Sequence, residues 1–188
     1  MFSSRAVLLT LTLAASTAVV GAYGTSTLEG RVVAEDVGLI FIMTPGGTAF
    51  RRTCPNNHVL TGIRYRKGIA LDGIGIQCRP IRSDGTLGTQ INSGDMAGGN
   101  GGTYGTASCA ANHVMASGLT GIGHQFSIGC HAWNAATRTW NTSEVNPIPI
   151  IGLGKTARAC STDTKPGHGI YGRHGAIVDA WGLSCDSP

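Results

Sequence analysis

One pattern is written three times along this chain. The first copy runs from Cys54 to Cys78, the second from Cys109 to Cys130, the third from Cys160 to Cys185. The opening cysteines lie 55 and then 51 positions apart, the closing ones 52 and then 55. A period near 50, with one cysteine pair per copy, means one supersecondary unit used three times. The copies span about 28–78, 79–130 and 131–185. Each has a variable front, ending in Thr48–Thr53, Thr103–Ser108 or Lys155–Ala159, and a more regular back.

The back half reads as a hairpin. In its last strand Asp72, Ile74, Ile76 and Cys78 share one face, against Leu71, Gly73, Gly75 and Gln77. The third copy sets Asp179, Trp181, Leu183 and Cys185 against Val178, Ala180, Gly182 and Ser184; the second sets His124, Phe126, Ile128 and Cys130 against Gln125, Ser127 and Gly129. Large residues on one face and small ones on the other, at period two, describe strands with one face turned inward. No long window beyond the leader carries a helical period with caps, and Pro147, Pro149 and the many glycines interrupt the rest. The expectation is an all-β domain.

Met1–Ala22 has a short positive start at Arg5, an apolar run from Ala6 to Val20 and small residues at Val20-Gly21-Ala22. That is the layout of a secretory signal peptide, leaving one domain at 23–188 with no membrane span. The expected location is extracellular, or periplasmic or cell-surface in a bacterium. The formal charge of +4 is too small and too scattered for nucleic acid. In an exported chain, six cysteines read as disulfides. Six allow 15 pairings, and the repeat selects Cys54–Cys78, Cys109–Cys130 and Cys160–Cys185. There is no Cys-x-x-Cys and no zinc-ligand spacing, so neither metal nor cofactor is expected.

Cys54-Pro55, Thr61-Gly62-Ile63 and Leu71-Asp72-Gly73-Ile74-Gly75-Ile76-Gln77-Cys78, with echoes in the other copies, resemble the vitelline membrane outer layer protein I family. The resemblance implies a β-prism, three Greek-key sheets about a pseudo-three-fold axis, which here would carry the one disulfide per repeat read from the cysteine pairs. Jacalin-like lectins use the same prism. The stretch Gly169–Asp179 is similar to their final hairpin, which carries a sugar-binding G-x-x-x-D. The chain departs from the jacalin pattern in its cysteine pairs and in showing no glycine-rich start after the leader.

Gly175-Ala176-Ile177-Val178-Asp179 puts a carboxylate at the start of a strand beside a tight turn, and Gly68–Asp72 repeats the layout in the first copy. Sugar hydroxyls can donate to such an aspartate, in charge-assisted hydrogen bonds stronger than neutral ones. Tyr171 and His174 are near in sequence and could add a ring or a donor. The second copy has His124 where aspartate would stand, so at most two such sites are expected. Arg64, Tyr65, Arg66 and Lys67 give Asp72 a basic surround that would favour acidic glycans. The competing expectation is that Asp72 and Asp179 cap their own turns.

The function expected from these loops is a secreted, non-catalytic, lectin-like carbohydrate-binding protein whose partners are glycans or extracellular matrix or envelope components. The alternative is a structural or adhesive component of an extracellular layer. A secreted enzyme is the remote reading, since no nucleophile elbow or activated constellation is recognisable. His58 and His113 recur in Asn-His-Val and read as turn residues, whereas His168 and His174 could form a polar cluster with Asp179. Trp133 and Trp140 read as core. Ser93–Gly105 reads as a structural loop of tight turns, and Asn141-Thr142-Ser143 matches a glycosylation acceptor.

Overall fold

The computed structural model describes residues 41–42, 46–120, 125–154, 156–160 and 166–185. The expected leader, His124 and Lys155 lie outside the described residues. Those described fall within one compact unit, Val33–Pro188, and every regular element among them is a strand.

Thirteen strands form three sheets among the described residues. They are β1 (Phe41–Ile42), β2 (Thr48–Thr53), β3 (His58–Lys67), β4 (Leu71–Pro80), β5 (Ile91–Gly98), β6 (Thr103–Ser108), β7 (His113–Thr120), β8 (Phe126–Asn134), β9 (Thr139–Trp140), β10 (Asn146–Ile151), β11 (Thr156–Ala159), β12 (Gly167–His174) and β13 (Val178–Cys185). The strand orders are β5-β4-β3-β6, β10-β8-β7-β11 with β9 beside β8, and β1-β13-β12-β2. In the first two, a hairpin is followed by a strand on its outer edge and another that returns to its inner edge, which is a Greek key. The third sheet has the same order but is closed by the chain's beginning: β1 and β2 flank the C-terminal hairpin. A front segment therefore pairs with the preceding hairpin, not with the one that follows it.

The expected alternation fills the prism. Ile74, Phe126 and Trp181, each four residues before a closing cysteine, are buried, as are Ile76, Ile128 and Leu183. The Phe126 and Trp181 rings meet edge to face at 5.7 Å. Small residues on the outer face are buried too, because long side chains lie over them. Arg64 and Met96 cover Gly75, Tyr171 covers Gly182, and Arg51 Nη1 donates to Ser184 Oγ at 2.6 Å.

The three-fold recurrence extends to the backbone. Each hairpin has a bulge near its cysteine end, at Thr61, Ala116 and His168. The carbonyl of each bulged residue accepts from the opening cysteine of the next front: Cys109 N to Thr61 O, Cys160 N to Ala116 O and Cys54 N to His168 O, at 2.8–2.9 Å. The last of these closes the ring. The disulfides are Cys54–Cys78, Cys109–Cys130 and Cys160–Cys185, with Cα atoms 5.5–5.8 Å apart. One lies in each repeat, as the period requires. The fold is the all-β prism of three Greek-key sheets.

Candidate functional site

The hairpin ends opposite the disulfides are built alike in two sheets. Gly68 N donates to Ala70 O at 3.0 Å, and Gly175 N donates to Ile177 O at 2.9 Å. Directly after each tip the register slips by one residue. Arg66 faces Gly73 while Lys67 faces Leu71, and Arg173 faces Ala180 while His174 faces Val178. The extra residue is Asp72 in one hairpin and Asp179 in the other. A bulge re-aims the side chain it carries, and here it turns each carboxylate towards a glycine pair just before the neighbouring strand, reaching Gly101 and Gly102 from Asp72 and Gly47 from Asp179.

Those pairs are Gly101-Gly102 before β6 and Gly46-Gly47 before β2. Gly102 has φ +65° and Gly47 has φ +75°, a region where a side chain is strained. A Cβ on Gly102 would overlap Asp72 Oδ2 and come within 2.6 Å of Lys67 O. A Cβ on Gly47 would overlap Asp179 Oδ2 and come within 2.8 Å of His174 O. An arginine steadies each loop: Arg66 Nη1 donates to Asn100 O and Arg173 Nε to Gly47 O, both at 3.3 Å. Two sheets thus share one constellation of bulged aspartate, turn glycine, loop glycine and arginine.

The carboxylates differ in setting. Asp72 is half-buried, and its buried Oδ2 has no hydrogen-bond partner among the described residues. Asp179 is only 8% exposed. Ile69, beside Asp72, is fully exposed, and Tyr104, two residues past Gly102, is half-exposed. The basic surround of Asp72 is largely engaged by the protein itself. Arg64 Nη2 donates to Ser93 O, and Lys67 Nζ donates to Ile150 O and lies over the Tyr65 ring.

Other expected site residues are dispersed. Gly175 and Ala176 are exposed and Ile177 is half-buried at the tip. Val178 is fully buried in the core. His174 stands beside the site, its ring 5.7 Å from Phe50. Tyr171 does not join it. It faces Gly182 and Arg51 in mid-strand, three residues or roughly 10 Å from the level of His174. The polar cluster of His168 with His174 is not formed, because the two occupy opposite ends of β12. His58 and His113 Nδ1 meet Asn56 O and Asn112 Oδ1, as turn residues do. Trp133 and Trp140 face each other across β8 and β9 and are buried.

The matching tip of the second hairpin, 121–124, lies outside the described residues. The strands leading to it pair Thr120 with Phe126 and Leu119 with Ser127. Ser127 Oγ accepts from Gly154 N at 3.1 Å and donates to Gly152 O at 3.4 Å, so the protein's own hydrogen bonds tie down that glycine loop.

Reading the hairpins alone misses the glycine pairs. Ser93–Gly105, expected to be merely structural, supplies half of the Asp72 site. Gly47, which lies against Asp179, stands in the front segment of the first repeat, far in sequence from the hairpin it meets. Gly-Gly-Thr occurs at 46–48 and at 101–103, offset by the same 55 positions as Cys54 and Cys109, and that offset is the available signal.

No family model matches this chain, and no curated protein matches it by sequence. Solved structures do. Wild-type Malaysian banana lectin aligns over 82% of this chain and 99% of its own, at 16% identity and TM-score 0.50. A prostate-specific WGA16 glycoprotein lectin aligns over 80% of this chain and 99% of its own, at 16% identity and TM-score 0.50. AcmJRL, a mannose-binding jacalin-related lectin from Ananas comosus, aligns over 82% of this chain and 98% of its own, at 18% identity and TM-score 0.45. What this chain shares with the first two is the fold, the three-sheet β-prism of lectins.

Proposed function

We propose that this protein is a secreted, non-catalytic, lectin-like carbohydrate-binding protein. Its ligand loops are Gly68–Asp72 with Gly101-Gly102, and Gly175–Asp179 with Gly46-Gly47. One observation carries the reading: in two sheets a bulge-borne aspartate lies against a left-handed glycine, Gly102 for Asp72 and Gly47 for Asp179. Asp72 Oδ2 has no hydrogen-bond partner among the described residues, and a buried acceptor left unsatisfied calls for an explanation such as a ligand-binding role. Gly68, Gly101 and Gly102 put no side chain beside the Asp72 carboxyl group, and that residue keeps part of its surface open to a sugar ring. The engaged state of Arg64 and Lys67 favours neutral over acidic sugars.

The burial of Asp179 favours a second reading, a structural or adhesive component of an extracellular layer in the manner of the outer layer proteins. A glycan array separates them, run on the protein and on Asp72→Ala and Asp179→Ala. Neutral-sugar signals lost in either variant support the first reading. No signal for any glycan, with melting temperatures that fall in both variants, supports the second.

A further inference from the structure

We infer that the Asn100-Gly101 peptide is a self-modifying site, at which Arg66 promotes deamidation of Asn100. Asn100-Gly101 is the one Asn-Gly pair in the sequence. Glycine has no Cβ to shield its amide nitrogen, so that nitrogen can reach the carboxamide before it. Both residues are exposed, in the segment between β5 and β6. Gly101 N and the Asn100 side chain make no hydrogen bond among the described residues. The oxygen of the same peptide does, since Arg66 Nη1 donates to Asn100 O at 3.3 Å. A guanidinium on that oxygen stabilises the anion left when the N–H gives up its proton, because the peptide shares the charge between nitrogen and oxygen. Asp84-Gly85 could close the same kind of ring, and it is the comparison within the chain. There Asp84 Oδ1 accepts from Thr86 N at 2.9 Å and from Thr86 Oγ1 at 2.7 Å, and Gly85 N donates to Arg82 O at 2.9 Å. Both reacting groups are already occupied.

Water is the co-reactant. Hydroxide removes the Gly101 amide proton, and the nitrogen attacks Cγ of Asn100. The N–Cγ bond forms, the Cγ–Nδ2 bond breaks, and Nδ2 leaves as ammonia after taking a proton from water. Water then opens the succinimide ring. Cleavage of the N–Cγ bond leaves aspartate in a normal backbone. Cleavage of the other ring C–N bond leaves isoaspartate, with the main chain running through Cβ and Cγ. Nothing is oxidised or reduced. In the isoaspartate the former Asn100 carbonyl is a free carboxylate, and the oxygen that Arg66 already holds is part of it. The main chain is then longer by a methylene just ahead of Gly102, which packs against Asp72 Oδ2 and the Lys67 carbonyl. Conversion therefore alters the Asp72 loop. The residue ahead of Gly46-Gly47 is Pro45, which has no carboxamide, so the Asp179 loop is spared.

The test is peptide mapping of the full, disulfide-intact chain after incubation in mildly alkaline buffer. Wild type, Asn100→Gln and Arg66→Gln are each followed folded and in guanidinium chloride. Isoaspartate is counted by the methyl group it accepts from an isoaspartate methyltransferase. The folded wild type is expected to gain aspartate and isoaspartate at position 100 at least as fast as the denatured chain, and Asn100→Gln to gain neither. Folded Arg66→Gln should convert roughly fivefold more slowly, the worth of unit charges a few ångströms apart in water, while the denatured chains should match. Loss of a merely steadying contact would loosen the loop and quicken the reaction, so the sign of the change separates activation from support. A folded Asn100 that stays intact while the denatured chain deamidates would overturn the inference. So would folded Arg66→Gln converting as fast as the wild type or faster.

Discussion

Replacing Asp72 by alanine should stabilise this protein while weakening its binding. Oδ2 of Asp72 is buried against Gly102 and has no hydrogen-bond partner among the described residues. A buried acceptor in that state costs about 1–3 kcal/mol. Truncation recovers the cost and forfeits the contacts that the carboxyl group makes with Gly68, Gly101 and Gly102, about 0.8 kcal/mol for a group near methylene size. The net gain is about 1 kcal/mol, which for a domain of this length raises Tm by about 2–4 °C. Loss of hydrogen bonds between a sugar and the charged group costs about 1.5–3 kcal/mol, one to two decades of affinity. The assay pairs a thermal melt and a urea midpoint with sugar titration. Asp179→Ala is the internal comparison, because Asp179 is more deeply buried and already engaged within the protein. Its Tm should fall. If Asp72→Ala lowers Tm as much as Asp179→Ala does, Asp72 is a turn cap and the reasoning fails.

Glycine substitutions should separate sharply by position. Gly102→Ala forces a side chain into φ +65° and into the Lys67 backbone, costing more than about 2 kcal/mol, whereas Gly68→Ala meets nothing nearer than 3.4 Å and should leave the melt within a degree or so. His131 is buried, with Nδ1 donating to Asn141 O at 2.9 Å and Nε2 accepting from Ser117 Oγ at 2.8 Å, and burial holds its pKa below 6.5. Because the unfolded chain takes up that proton first, stability should be flat above about pH 6.5 and decline as pH drops below it. Urea midpoints from pH 8 to 5 check this, and His131→Gln should flatten the slope. Replacing both Cys160 and Cys185 by alanine opens a loop of sequence separation 25, worth about 3.5 kcal/mol in the chain-entropy model. The melt should drop by about 7–14 °C.

The prism was legible because its period is carried by residues that cannot be spared. Cysteines mark the copies, and Ile74, Phe126 and Trp181 mark the inward face at a spacing that needs no tertiary information. The disulfides followed from the same count. The site was legible only by half. Asp72 and Asp179 stand out locally, since an aspartate after a glycine turn is a pattern within five residues. Gly47 and Gly102 act across strands, and a glycine in a glycine-rich chain gives no sign of which carboxylate it faces. Front strands pair with the preceding hairpin, so a reading that keeps each repeat to itself assigns the glycine pairs to the wrong sheet. Tyr171 failed for a related reason: nearness in sequence along a strand is distance in space.

The closing of the third sheet by β1 and β2 sets an order of assembly during synthesis. The Asp72 loop and its glycine pair span Gly68 to Gly102 and can come together while much of the chain is still on the ribosome. The Asp179 loop needs Gly47 from near the start and a hairpin that ends at Cys185, and Arg173 reaches back 126 positions to Gly47. Chains are made from the N-terminus at roughly 5–20 residues per second, so this second loop is completed only after Cys185 has emerged. A nascent chain or a C-terminally nicked one would carry the Asp72 loop without the Asp179 loop. Occupancy of the Asp179 loop thereby reports that the polypeptide is intact from Gly47 to Cys185.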